Sequence, residues 1–260
     1  MKPKNIVILA ILACALGAAA YFCGSGRRIK TPSLNGRPVV TAFDLADVAR
    51  IDIAGPKPLA IAAGTNGWVV ESYHGYPADT GKIRENLLRL AEAKVGQEAK
   101  GVDFGAPVEV NLRDAAGKTV ASASLGAKHM AKPKGGMAMM YGGYPDGRYM
   151  AYDGRMVLVK DALEAFDGDP MAWCDQKLLD TPYVRFTGIV DDSAADYGFA
   201  TGTVCTVTYK GDTNAVARVG GTVPSGSDRY FKLDAERWVF TIPSYSADSL
   251  VKPKDPPKAD

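Results

Sequence analysis

GWVVESYHGYPADTGKIRENLLRLAEAK, Gly67 to Lys94, decides how this chain folds. Trp68, Tyr73, His74, Tyr76 and Asp79 crowd together ahead of a helix-like run. Two readings compete for them. In one, His74 with Tyr73, Tyr76 and Asp79 lines a small polar cleft. In the other the same letters are a strand, a turn and a helix cap. Pro77 disfavours continuation of the strand, and the Asp79 carboxylate is placed to accept the free amides of a first helical turn. Beyond it Ile83, Leu87, Leu90, Ala91 and Val95 recur at helical spacing, with Arg84, Glu85, Arg89 and Glu92 on other faces. The spacing predicts a helix from Thr80 to about Val95. The second reading explains every residue without chemistry and is the expectation.

Upstream, Leu59 and Ile61 alternate before the turn GTNG and the run Trp68-Val69-Val70, while DVARIDIAG alternates partly; two or three antiparallel strands follow. Downstream, PVEVNLRD and KTVASASLG flank the turn DAAGK, and Asp153-Gly154 sits between the apolar runs of RYMAYDGRMVLVKD, a hairpin signal. Short helices are expected near Ala162 to Phe166 and Met171 to Leu179, then strands at YVRFTGIV, TVCTVTYKG and NAVARVGG. The fold class expected is α+β: antiparallel sheets with a few packed helices. Its first unit spans 39–180 and its β-rich second unit 181–250. The tail from 251 to 260, rich in Lys and Pro, can make neither helix nor core.

GWVVESYHGYPAD, Gly67 to Asp79, is echoed by RWVFTIPSYSAD, Arg237 to Asp248, and more weakly DVARIDI by YVRFTGI. A degenerate internal repeat is expected, its second copy losing the helix to Pro253.

The amino terminus carries a different message. Ile6 to Cys23 is uncharged and bounded by cations. As a helix it spans about 27 Å, close to a bilayer's hydrocarbon core. Residues 1–23 therefore read as a single transmembrane anchor. A cleaved signal peptide remains open, since Ala18-Ala19-Ala20 offers small residues for cleavage; so does a lipoprotein, through the loose lipobox Ile11-Leu12-Ala13-Cys14. Residues 24–38, rich in Gly, Pro, Ser and Arg, read as a tether. Each alternative sends the body across the membrane, and the localisation expected is single-pass with the main domain extracytoplasmic.

The first 30 residues hold five cations and no acid; removing those five from the chain's 31 leaves 26 Lys and Arg against 29 acids. That balance gives no basic surface for nucleic acid. With only two His, and no nucleophile elbow, paired-His zinc motif, CxxC, phosphate loop or dinucleotide fingerprint, the expectation is a non-enzymatic protein with no catalytic residues and no cofactor. The segment HMAKPKGGMAMMYGGYPDGRYM gathers His129, Met130, Met137, Met139, Met140 and Met150, and imidazole with thioethers suits Cu(I). The same Met residues also serve as ordinary packing. Asp191, Asp192 and Asp196 lack a calcium-loop spacing and read as loop carboxylates. Cys174 and Cys205 are the pair outside the anchor that an oxidising compartment could join; two free thiols are the alternative.

The order FDLADVARIDI, GWVV, GYPADTGKIRENLLRLAEAK, FGAPVEVNLRD with AGKTVASASLG, RYMAYDGRMVLVKDAL and MAWCDQKLLD resembles the bacterial domain-of-unknown-function 4340 family (DUF4340) over roughly residues 40 to 190. The resemblance implies one amino-terminal membrane helix, an extracytoplasmic α+β body and association with ABC-type transport systems related to gliding-motility components. It implies no catalytic residues. The chain departs from the pattern in its Met-rich loop and shortened second unit. The function expected is a protein-interaction or auxiliary component of such a system, with a protein partner; the alternative is an exported copper-binding protein using the loop 129–150.

Overall fold

In the computed structural model, residues 33–131, 143–180, 184–190 and 196–251 are described. The expected anchor, most of the tether, Met137, Met139, Met140, Asp191, Asp192 and all of the tail after Val251 lie outside them. The chain divides after Asn35, and the described residues from Gly36 onward form one compact unit.

Alternating apolar residues build the first sheet. In β1 (Arg50–Ala54) and β2 (Leu59–Gly64) the inward positions Ile51, Ile53, Leu59 and Ile61 are buried and their neighbours are not, the period-two pattern of a sheet with one packed face. β3 (Gly67–Val70), β4 (Tyr76–Pro77), β5 (Val95–Glu98), β6 (Val108–Arg113), β7 (Thr119–Ala131), β8 (Tyr144–Tyr152) and β9 (Arg155–Val159) complete nine antiparallel strands in the order β4-β3-β2-β1-β6-β7-β8-β9-β5. Asp153 and Gly154, with φ of 51° and 70°, close the β8–β9 hairpin as the left-handed pair that such a two-residue turn needs.

Helix α1 (Thr80–Glu92) carries the chain from β4 at one edge to β5 at the other, and buries Ile83, Leu87 and Leu90. It stops at Glu92, a turn earlier than its letters suggest. The reason is that Ala93–Val95 has an extended partner: Val39 N–H donates to the Ala93 carbonyl at 3.0 Å, Gly36 N–H to Val95 O at 2.7 Å, and Val95 N–H to Arg37 O at 2.9 Å. Residues 36–38, expected as tether, thus cover an edge of the sheet and belong to the body. Their polar composition hid a purely backbone role.

The second sheet holds β10 (Gly188–Val190), β11 (Thr203–Tyr209), β12 (Asp212–Thr222), β13 (Arg229–Leu233) and β14 (Val239–Ile242) in the antiparallel order β10-β14-β13-β12-β11. The class is α+β, mostly β, with two α-helices among the described residues.

Two expectations need correction. Helix α2 (Ser244–Val251) follows β14, so the carboxy-terminal passage keeps a helix. Pro253 falls beyond its last residue, where proline ends a helix without preventing it. Met171 to Leu179 is not a helix: a 3-10 turn at Pro170–Ala172, capped by Asp169, gives way to extended chain bridged at Ala78–Cys174 and Lys177–Arg185. Trp173, Cys174, Leu178 and Leu179 are all buried, so the run lacks the solvent face of an amphipathic helix. The short helix expected near Ala162 to Phe166 is present as a 3-10 helix at Glu164–Asp167, entered through Leu163 with φ of 48°.

That connector is bolted to the first sheet by Arg148, 3% exposed, whose guanidinium donates to Gly126 O at 3.0 Å, Leu163 O at 3.3 Å and the Asp167 carboxylate at 2.6 Å. A buried guanidinium needs several acceptors to offset its desolvation, and the connector supplies them.

Candidate functional site

The turn from β3 to β4 reverses the chain through His74 and Gly75, with φ of 57° and 64°. Tyr73 N–H donates to Val70 O at 3.0 Å, and Tyr76 N–H to Tyr73 O at 3.1 Å. This geometry turns both tyrosines toward the second sheet.

Tyr76 is 7% exposed, and its ring meets Phe186, Trp238 and Phe240 edge to face at centroid distances of 5.1, 4.9 and 5.9 Å. Such tilted pairs match a ring's positive edge to its neighbour's negative face. Its hydroxyl donates to Asp175 O at 3.1 Å. The Tyr73 hydroxyl accepts from the Ile189 N–H of β10 at 2.6 Å. From the other side Arg237, stacked 4.7 Å over the Trp238 ring, donates to His74 O at 3.2 Å. Burial pushes both phenols above their ordinary range, so neither serves as a base near neutral pH.

Asp79 does what its letter suggested: its carboxylate accepts from Gly81 N at 2.7 Å and Lys82 N at 3.2 Å. Its own N–H donates to Trp173 O at 2.8 Å. Lys82 then reaches out of α1 to Cys174 O at 2.7 Å and Met171 O at 3.2 Å. Of the four residues of the cleft reading, Tyr73, Tyr76 and Asp79 are therefore bound into a joint between the sheets. The exposed His74 ring lies beside Tyr73, their centroids 5.4 Å apart.

Beside the joint is a cavity of about 300 Å³, with an apolar wall of Tyr76, Leu178, Leu233, Trp238 and Phe240. Its polar side is a cluster that the sequence reading missed. The Tyr209 hydroxyl donates to the Glu236 carboxylate, and Lys210 Nζ donates to it at 2.9 Å. Burial, reinforced by the bond to Glu236, raises the Tyr209 phenol. The bonds to Tyr209 and Glu236 raise Lys210. Tyr209-Lys210-Gly211 reads in sequence as a hairpin end, and nothing local in it announces Glu236. Trp238 Nε1 is buried with no hydrogen-bond partner among the described residues.

The Met-rich segment is described only at its ends. His129 Nδ1 lies 2.5 Å from the Asp146 carboxylate, and Met130 is 49% exposed. Met150 is fully buried on β8 opposite Leu125, so it is core and leaves the candidate ligand set. No three His, Cys, Asp or Glu converge on a metal position among the described residues. The Asp196 carboxylate accepts from Ala200 N at 3.3 Å, as a loop carboxylate does.

Cys174 and Cys205 are free. Burial pushes the Cys174 thiol up to about 12, which suppresses its thiolate. Cys205 lies half-buried on β11 with Sγ 3.7 Å from Ala217 O.

Among the described residues no helix is long and apolar enough to cross a membrane. No family model matches the chain, and no curated protein or solved structure matches it either.

Proposed function

We propose that this chain is a membrane-anchored extracytoplasmic protein whose α+β body acts as a protein-interaction or auxiliary component of an ABC-type transport or gliding-motility-like envelope system. The observation that carries the reading is the fate of the crowded stretch. Tyr73, Tyr76 and Lys82 bind backbone of segments distant in sequence and Asp79 caps its own helix, so each of these side chains has a scaffold role. The apolar run Ile6 to Cys23 supports the anchor, and the ordered resemblance to the domain-of-unknown-function 4340 family supports the transport association. We also read the two Trp-to-helix passages as degenerate copies of one unit, on the strength of a strand followed by a helix in each. Affinity purification of the full chain from native membranes tests the functional reading. It should recover a permease or ATPase component reproducibly; recovery of none across independent preparations contradicts it.

A copper-binding reading has one observation in its favour. Asp146 fixes His129 through Nδ1, the usual way a carboxylate orients an imidazole to present Nε2 to a metal, and Met130, the following residue of β7, is exposed. Cu(I) titration of the full chain checks it: binding weaker than micromolar, or unchanged by His129→Ala, ends that reading.

A further inference from the structure

The four sheet edges among the described residues are not treated alike. β5 is covered by residues 36–39, β4 is two residues long and contains Pro77, and β10 has three residues. Those are ordinary ways of blunting an edge. β11 is neither short nor broken by proline, and among the described residues it is covered only at Thr208. It is seven residues, TVCTVTY, with no charge and no proline, and no described strand pairs with its outer side.

Its hydrogen-bonding groups are arranged in a readable way. Tyr209 and Asp212 face each other across the two-residue turn Lys210-Gly211, and Thr203, Cys205 and Val207 pair with Val219, Ala217 and Ala215. Backbone groups alternate sides along a strand. The Thr208 carbonyl points away from β12, where Asp180 N–H takes it at 3.0 Å. By the same alternation Val204 and Thr206 direct their N–H and C=O groups outward, and these four groups have no partner among the described residues. Both residues are exposed, Val204 at 55%.

We infer that β11 is an interface strand, where two copies of this chain pair edge to edge and antiparallel about a two-fold axis at Cys205. The free groups select that register. An axis at Cys205 sets Val204 opposite Thr206 of the second copy and Thr206 opposite its Val204, so all four outward groups of each chain bond. An axis at Thr206 would call on Thr208, whose carbonyl Asp180 holds, and one at Val204 would call on Gly202, whose N–H donates to Phe199 O at 3.3 Å. In the favoured register no charged side chains of β11 meet across the axis. A second copy is the fitting occupant because the window is its own complement, two donors and two acceptors placed symmetrically about one residue. The Cys205 pair then falls at a non-hydrogen-bonded position, where facing Cα atoms lie about 4.5 Å apart, within disulfide reach. This contact stands independently of the transport reading, since it involves no other protein.

The test uses the full chain with Cys14 and Cys23 replaced by Ser, treated with diamide at mildly alkaline pH and resolved without reductant. A cross-linked dimer is expected that is lost in Cys205→Ser and kept in Cys174→Ser. Moving the thiol one pleat, Thr203→Cys in the Cys205→Ser background, sets it opposite Val207 of the second copy and should also abolish the dimer. Thr206→Pro, which deletes one outward N–H, and Val204→Lys, which leaves the backbone intact at an exposed position, should each return the protein to a monomer in sedimentation. Failure of Cys205 to cross-link, equal cross-linking through Thr203→Cys, or a dimer that survives both Thr206→Pro and Val204→Lys overturns the inference.

Discussion

The passage from Trp68 to Asp79 and the passage from Trp238 to Asp248 share letters and differ in what those letters do. Each runs from a Trp through a strand toward a helix. In the first a turn through His74 and Gly75 intervenes, Tyr76 is driven into the second sheet, and Asp79 caps α1 from outside it. In the second, Ile242 passes through Pro243 directly into α2, Tyr245 is 75% exposed, and Asp248 lies within the helix. The same Tyr and Asp are thus core and cap in one passage, solvent-facing and helical in the other. The difference teaches that a side chain's role follows from the turn that aims it more than from its spacing to a Trp.

The most severe way to break that comparison is to remove the aimed ring. Tyr76→Ala deletes an aromatic that touches three others, and should cost about 3–5 kcal/mol in urea unfolding, as buried aromatic truncations do. Tyr245→Ala, at the corresponding letter of the second passage, should stay within about 0.5 kcal/mol, as exposed substitutions do. Equal effects would mean that the two passages are equivalent after all.

Tyr73→Phe comes next, because it leaves the N–H of the buried Ile189 without its acceptor; a loss of about 1–3 kcal/mol is expected from the same unfolding measurement. Asp79→Ala removes an N-cap and should cost about 0.5–2 kcal/mol. Asp248→Ala removes no cap and should cost less than Asp79→Ala. His74→Ala ranks last. It removes an exposed ring and should fall within about 0.5 kcal/mol in the same assay.

Alkaline pH probes the joint through its phenols. Burial raises the folded-state pKa of Tyr76 and Tyr73 above the unfolded value of about 10. Their neutral forms therefore support folding fully below pH 10, and that contribution is lost as pH climbs past it, because the unfolded chain releases those protons first. Stability should begin to fall as pH passes about 9, where the unfolded chain releases the Cys174 proton that burial holds in the folded state, and fall more steeply above about pH 10 as the phenols join. Tyr76→Phe should shallow the fall, as followed by fluorescence-detected unfolding at stepped pH.

The sequence was informative where a residue's role is local. Asp79 caps because Pro77 and the periodicity after it fix the frame, and the Asp153-Gly154 hairpin follows from the backbone needs of a two-residue turn. It was silent where the role depends on distant chain. Trp173 to Leu179 has helical-looking letters, yet the segment is extended and its apolar residues are enclosed from several sides. Residues 36–38 look like linker because backbone pairing leaves no side-chain signature. The cluster of Tyr209, Lys210 and Glu236 spans a hairpin and a loop after β13, a separation that no local motif bridges.

Amide hydrogen exchange across the second sheet tests the central claim, that the crowded stretch is a joint between the sheets. Tyr76→Ala should selectively lower protection at Phe231 and Phe240 in β13 and β14, while His74→Ala leaves both unchanged. Unchanged protection in Tyr76→Ala, or a larger loss in His74→Ala, would contradict it.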